Sequence, residues 1–145
     1  MTIRPSGPFI AAALLTLALS ATASEQEIRN NIALGALVFS ENCRKCHELD
    51  GYGEEALYPS LHNQALLRDK SLLIQTILKG RTRHQENGEG GTIRLMPSLD
   101  FLSDAEIVAI IVFITNSWGD QPLEVTEQDV REARASMAGS SPAAD

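Results

Sequence analysis

The sequence feature that restricts the fold most is a run of five residues, Cys43-Arg44-Lys45-Cys46-His47. Cys43 and Cys46 are three positions apart, so a helical turn places both thiols on one face. The spacing C-x-x-C-H is the attachment sequence for c-type haem. Two thiols on one face can each bond a vinyl group of the same porphyrin, and the imidazole of His47 can turn under the ring. We therefore predict covalent haem at Cys43 and Cys46, with His47 as an iron ligand.

Three other uses of the two cysteines compete with haem. A redox dithiol of the C-x-x-C type expects a preceding strand in a βαβ unit, whereas the preceding residues here predict a helix. A zinc site needs four ligands, and beyond the only two cysteines in the chain just three histidines remain. His47 is too close in sequence to chelate comfortably together with both cysteines. A disulfide within the motif leaves the histidine unexplained, so haem is favoured.

The first 23 residues have the pattern of a secretory signal peptide. A basic start at Arg4 precedes an apolar run from Phe9 to Leu19, and Ala21-Thr22-Ala23 fits an A-x-A cleavage site. The apolar run is shorter than the ~20 residues that a spanning helix needs. We expect cleavage after Ala23, no transmembrane anchor in the mature chain, and export. Haem attachment of this type is normally completed outside the cytoplasm, which in a bacterium means the periplasm.

The charge is negative and unevenly distributed. The whole chain has a net charge of −7, and loss of Arg4 with the leader makes it more negative. Residues 43–96 hold 8 basic and 7 acidic side chains, whereas residues 97–145 hold 2 basic and 9 acidic ones. This balance argues against nucleic acid as a partner and favours a soluble protein.

Apolar spacing and capping residues predict helices separated by polar loops. We expect a first helix over Ser24–Asn42, a helix capped by Asp69 that ends at Gly80, and a helix that starts at the Ser103/Glu106 capping box. This last helix is expected to reach about Ser117 and end near Gly119. The intervening segments are predicted as loops, namely Glu48–Asn63 and the long polar, glycine-rich stretch Arg81–Leu95.

The C-terminal residues predict a short extension. Thr126 to Asp129 is a second capping sequence, before a short helix that reaches about Ser136. Residues 139–145 are small and polar, and we expect them to be disordered. The predicted organisation is a signal peptide (1–23), one domain (24–122), an extension with a short helix (123–138) and a disordered tail (139–145).

A haem held by one histidine has a second axial position. Met96 lies 49 residues after His47 and is followed by Pro97, and a thioether there would raise the potential of the iron. Met137 lies near the tail and is a poor candidate. His62 and His84 are the alternatives, and either would give a bis-histidine haem of lower potential.

From about Ala33 to Gly119 the chain resembles class I cytochromes c with a single His/Met haem. The resemblance is carried by the attachment motif, the x-P-x-L segment at Pro59 and Leu61, the M-P pair, the final amphipathic helix, and a first helix containing Gly35 and Phe39. It implies a small all-α fold with helices packed around one covalent haem.

The resemblance also implies particular contacts. Gly35 and Phe39 should pack against the last helix of the domain, near Ile110, Phe113 and Ile114. The carbonyl of Pro59 should accept the Nδ1–H of His47, a bond that fixes the ring of the ligand.

The residues at the end of that helix resemble one subgroup of these cytochromes. Asn116-Ser117-Trp118-Gly119-Asp120 is similar to the NSWGN ending of cytochromes that work beside periplasmic dehydrogenases, including quinoprotein alcohol dehydrogenases. Two positions differ from the pattern. Asn63 stands where the family often has a glycine, and Asn tolerates the left-handed conformation. Phe113-Ile114-Thr115 stands where such relatives tend to have Tyr-x-Arg, so the role of that arginine is not expected here.

These patterns predict an exported monohaem cytochrome that carries single electrons between periplasmic redox partners, such as a dehydrogenase, an oxidase or another cytochrome. A dedicated electron-accepting subunit of a periplasmic dehydrogenase is the alternative. A haem enzyme or gas sensor needs an open iron site, which Met96 argues against. No paired carboxylates or nucleophile-base arrangement stands out, so we expect no catalytic residues.

Overall fold

In the described part of the chain, the fold consists of five α-helices, one 3₁₀ helix and a two-stranded hairpin. The computed structural model describes residues 8–54, 58–84 and 92–139, with side chains for 24–54, 58–82 and 95–139. In chain order the elements are α1 (Pro8–Asn42), α2 (Arg44–His47), the 3₁₀ helix (Ala65–Arg68), α3 (Lys70–Lys79), β1 (Arg81–His84), β2 (Thr92–Met96), α4 (Asp104–Trp118) and α5 (Glu127–Gly139). Helices dominate, so the predicted all-α class is confirmed.

The first helix begins well before its predicted start. α1 begins at Pro8 rather than at Ser24, because the alanine- and leucine-rich residues after Pro8 are strong helix formers without a glycine or proline to stop them. The chain divides into two compact units, Met1–Asn30 and Asn31–Asp145. Within the described ranges, no helix combines the length and apolar character needed to cross a bilayer. The signal peptide stays a prediction.

The two predicted capping sites of the central helices are confirmed. The side chain of Asp69 accepts a hydrogen bond from the backbone N–H of Leu72 at 2.9 Å, at the start of α3. Ser103 and Glu106 form the full capping box of α4, and the hydrogen bonds from Ser103 lower the pKa of the Glu106 carboxyl. Gly80 ends α3 with φ of 70°, a conformation that favours glycine.

The core is centred on α4. From Ile107 to Val112 every side chain is buried, which explains why this run is apolar without a polar face. Thr115 is also buried, and its hydroxyl donates to the carbonyl of Ile111 at 2.8 Å. Buried residues of α1 and α3 surround this helix: Val38, Phe39, Leu73, Ile74, Ile77 and Leu78.

The prediction of one long loop over Arg81–Leu95 is wrong at both ends. β1 and β2 pair antiparallel, with Thr82 opposite Arg94 and His84 opposite Thr92. Threonine and isoleucine favour strands. Hydrogen bonds between the two strands also pair backbone N–H and C=O groups that in a loop would be hydrogen-bonded to water. The glycine-rich middle, residues 85–91, lies outside the described residues.

The C-terminal extension packs onto the rest of the domain. Thr126 and Asp129 cap α5 reciprocally, as predicted, with the Asp129 N–H donating to the Thr126 hydroxyl at 3.3 Å and the Thr126 N–H donating to the carboxylate at 2.8 Å. α5 continues past the predicted end at Ser136, and its Val130 is fully buried. The helix contacts α3 and α4. The tail beyond Gly139 lies outside the described residues.

Candidate functional site

The attachment motif forms a tight turn directly after α1. The N–H of Cys43 donates to the carbonyl of Phe39 at 2.8 Å, which continues the helical pattern. The N–H groups of Cys46 and His47 then both donate to the carbonyl of Cys43, at 3.1 and 3.0 Å. This turn leaves Cys43, Cys46 and His47 half-buried and the intervening Arg44 and Lys45 exposed, as the spacing predicts.

The environment of the cysteines does not suit a redox dithiol. The two cysteines form no disulfide with each other. Burial, together with the neighbouring Cys46, raises the pKa of the Cys43 thiol to about 11. Reactive dithiols instead have lowered pKa values, because the thiolate is the nucleophile. In the part of the chain that the structure describes, no group of three or more His, Cys, Asp or Glu side chains could hold a metal ion, so a zinc site is not supported there.

Two cavities adjoin the motif. The first has a volume of about 210 Å³ and the second about 360 Å³. Cys43, His47 and Met96 line both, and Cys46 lines the second. The fold thus brings the motif together with the distant methionine. The walls are mainly apolar, formed in the first cavity by Phe39, Leu61, Leu66, Leu67, Leu73, Ile77, Leu99, Ile110 and Ile114.

The ring of His47 is held by the loop that follows the motif. Its Nδ1 lies 3.2 Å from the carbonyl oxygen of Pro59, which is the contact that the family resemblance implies. A carbonyl only accepts, so Nδ1 carries the proton and Nε2 keeps its lone pair. Burial lowers the pKa of His47, an effect that the Pro59 hydrogen bond opposes. A neutral imidazole is the form that binds metals.

Met96 is the last residue of β2 and is half-buried. A close approach of Gly80 fixes its backbone, since a Cβ atom on Gly80 would lie 2.3 Å from the carbonyl oxygen of Met96. The following residues return to the core, where the N–H of Leu99 donates to the carbonyl of Ile77 at 3.1 Å. The hairpin therefore places Met96 at the cavities.

The alternative ligands lie elsewhere or outside the described side chains. His62 lines neither cavity. Its Nε2 lies 2.7 Å from the carbonyl oxygen of Asp50, and its ring stacks on Tyr52 with centroids 4.0 Å apart. The side chain of His84 lies outside the described residues. Met137 packs against the core from α5 without lining either cavity.

An aromatic cluster joins α1 to the end of α4, as the resemblance implies. The rings of Phe39, Phe113 and Trp118 have centroid distances of 5.1 to 5.5 Å. Gly51 lies against Trp118, since a Cβ atom there would be 2.6 Å from the indole. Asn63 has φ of 53°, so the predicted left-handed conformation is confirmed.

Sequence reasoning did not assign to the site several polar residues that line one or both cavities: Asn42, Tyr58, Ser60, Gln64, Thr76 and Arg81. Arg81 lines both cavities from the start of β1, and its position became visible only with the hairpin. The apolar residues that α3 contributes to the first cavity could be predicted as a buried face, but not as the wall of a site. Thiols, an imidazole and a thioether beside apolar walls are the groups that fit a covalently attached haem.

The family model for Cytochrome c matches residues 32–118. The chain belongs to the cytochrome c family, and its cofactor is one covalently bound haem c.

Curated relatives share this region. The chain is 27% identical over 107 residues to the cytochrome c subunit of a quinone-type alcohol dehydrogenase from Gluconobacter oxydans (strain 621H), covering 72% of this chain and 22% of that protein. It is 33% identical over 105 residues to the gluconate 2-dehydrogenase cytochrome c subunit of Pantoea cypripedii, covering 69% of this chain and 24% of that protein. The chain therefore corresponds to less than a quarter of the length of these relatives.

Proposed function

We propose that this chain is an exported monohaem cytochrome c that transfers single electrons between periplasmic redox partners. The observation that supports the proposal most is that His47 and Met96 line the same two adjoining cavities as Cys43, although they lie 49 positions apart. One imidazole and one thioether are the axial pair of electron-carrying haems. The leader-like residues 1–23 support export.

Each side chain of the site has a role in this proposal. Cys43 and Cys46 would form the thioether bonds, and His47 and Met96 would bind the haem iron. Pro59 accepts the Nδ1–H of His47 and so holds the ring in one orientation. When bound, haem supplies an iron that changes between the ferrous and ferric states. The apolar wall residues exclude water from the site. This exclusion favours the less charged oxidation state of the haem and so affects its reduction potential.

Electron exchange needs an accessible haem edge, and a haem held at the second cavity would have its edge beside that cavity's margin. Cys46, Tyr58, Leu95 and Pro97 are among its lining residues, and Leu95 is 46% exposed. A partner could approach the haem edge over this apolar margin. The chain has no catalytic role in this proposal, since substrate oxidation takes place in its partner.

The alternative function is a dedicated electron-accepting subunit of a dehydrogenase complex. It is favoured by the relatives, which are themselves named as cytochrome c subunits of alcohol and gluconate dehydrogenases. Affinity purification of the chain from its native host distinguishes the free carrier from the dehydrogenase subunit. A dehydrogenase recovered in a fixed ratio supports the subunit, and a cytochrome recovered alone supports the free carrier.

The ligand pair is tested with Met96→Ala in the haem-loaded protein. Loss of the thioether should open the iron and give a high-spin ferric spectrum that changes readily on addition of imidazole. Met137→Ala is the matched control, because Met137 also packs against the core but lines neither cavity. A low-spin spectrum that Met96→Ala leaves unchanged would contradict the His47/Met96 pair.

A further inference from the structure

The guanidinium of Arg134 bridges three groups near the segment that follows Met96. Its Nε donates to the carboxylate of Asp104 at 2.9 Å, and one terminal nitrogen donates to the carbonyl of Asp100 at 2.7 Å. The other terminal nitrogen donates to the carbonyl of Leu102. One side chain of α5 thus fixes two backbone carbonyls and the first residue of α4.

The same segment is also held by α3. The hydroxyl of Ser98 donates to the carbonyl of Leu78 at 2.6 Å, and the N–H of Leu99 donates to the carbonyl of Ile77 at 3.1 Å. Leu99 is 5% exposed and lines both cavities. Residues 97–102 are therefore fixed between the end of α3 and Arg134.

α5 is itself anchored firmly enough to support this contact. Val130 is fully buried in the core, and Lys70 of α3 pairs with Asp129 at 2.7 Å. The Arg134 side chain is 30% exposed and Asp104 22%, so water screens their pairing less than that of a fully exposed pair. The whole helix lies beyond residues 32–118, the region that the family model matches.

We infer that Arg134 is a positioning residue for Met96, which it holds at the cavity by fixing residues 97–102. This inference rests on the proposed function, in which Met96 binds the haem iron. Withdrawal of Met96 requires the segment behind it to move, and that movement breaks the hydrogen bonds of Arg134. The C-terminal extension therefore sets how easily an external ligand replaces Met96.

Imidazole affinity of the ferric, haem-loaded protein measures this effect, because imidazole binds only after Met96 has withdrawn. Arg134→Gln should bind imidazole about tenfold more tightly than the unmodified protein, a change equal to about 1.4 kcal/mol. Arg134→Lys keeps the charge, but its donors sit on one nitrogen and cannot reproduce contacts that Arg134 makes from three separate nitrogens of a planar fork, so it should show most of the same increase. It also keeps the inference testable if Arg134→Gln folds poorly.

Two control variants separate positioning from general stability. Arg131→Gln removes a neighbouring cation that pairs with Asp104 and Glu127 but contacts no carbonyl of the segment. Arg68→Gln removes the ion pair with Asp120, away from the segment. Both should leave imidazole affinity within about twofold, and a purely structural role for Arg134 would lower only the denaturation midpoint.

Amide hydrogen exchange supplies a second readout of the segment. The N–H groups of Leu99 and Leu102 donate to Ile77 and Leu99, and in Arg134→Gln they should exchange faster while amides of buried α4 residues keep their rates. Unchanged imidazole affinity in both Arg134 variants, alongside an opened iron in Met96→Ala, would overturn the inference alone. An unchanged spectrum in Met96→Ala would overturn the proposed ligand pair instead.

Discussion

A Cβ atom on Gly35 would lie 2.0 Å from the carbonyl oxygen of Ala109. The backbones of α1 and α4 are therefore in direct contact at this crossing, with Ala109 fully buried. The contact brings Phe39, one turn further along α1, against Phe113 at a centroid distance of 5.5 Å. It also carries the end of α1, and with it the attachment motif, to the core around α4.

Gly35→Ala should destabilise the haem-loaded protein by about 1–3 kcal/mol, the usual range for an overpacked core. The reason is that the new methyl group meets the carbonyl of Ala109 rather than a side chain that could turn away. Gly139→Ala is the matched control, since among the described residues no side chain or backbone from outside its own helical turn lies within 4 Å of its Cβ position. Denaturant unfolding followed by far-ultraviolet circular dichroism measures both, and equal midpoints for the two variants would contradict the close crossing.

Covalent attachment is tested by replacing both thiols. After boiling in SDS, haem should migrate with the unmodified polypeptide, and Cys43→Ala combined with Cys46→Ala should lose it. Each single variant should retain haem through its one remaining thioether bond, at lower yield. Haem that stays with the double variant under these conditions would show that the attachment lies elsewhere.

Acid should weaken the packing of α5 through Asp129. Hydrogen bonds from Lys70, and then from Thr126, lower the pKa of Asp129 from its ordinary value of 3.8 to about 2. The pKa of Asp129 is lower in the folded state than in the unfolded state. The stabilisation is therefore present above pH 3.8 and is lost as the pH falls towards about 2. Asp129→Asn should therefore lower the urea midpoint at neutral pH and flatten its decline across that interval.

Glu124→Gln is the control for that experiment. Glu124 is an exposed carboxylate in the segment before α5, so its replacement should leave the pH dependence of the midpoint unchanged. A decline in Asp129→Asn as steep as that of the unmodified protein would place the acid sensitivity in other groups.

Basic side chains beside the attachment cysteines should attract anionic electron acceptors. Arg44 and Lys45 are exposed between Cys43 and Cys46, and ferricyanide is a suitable anionic probe. Arg44→Gln with Lys45→Gln should slow oxidation of the ferrous protein several-fold at low salt. The defect should fade near 0.5 M salt, where the Debye length is roughly 4 Å.

Arg131→Glu changes the net charge by the same amount as that double variant, but on α5. Its oxidation rate should stay close to that of the unmodified protein if the local charge near the haem edge matters. Equal slowing by both changes would mean that only the overall charge of the protein acts on the probe.

Local features of the fold could be predicted because they depend on neighbouring residues. The capping box of Ser103 and Glu106, the cap at Asp69 and the left-handed Asn63 each follow from a side chain and the backbone within a few positions of it. The hairpin could not be predicted, since the pairing of Arg81 with Met96 joins strands on either side of a glycine-rich stretch. The early start of α1 was missed because the signal-peptide pattern suggested that the helix begins after Ala23. No glycine or proline lies between Pro8 and Ser24 to interrupt a helix, so α1 runs through that point.

The sequence alone supplied the chemistry of the proposed site: two cysteines and a histidine whose types and spacing identify a covalently bound haem, and a methionine as the proposed second ligand. This is possible because the motif is local and its side chains have few other joint uses. Only the tertiary structure decided that those groups line adjoining cavities, through the crossing at Gly35 and the hairpin that ends at Met96. These contacts join residues far apart in the chain, and whether such a pair meets depends on the packing of all the elements between them.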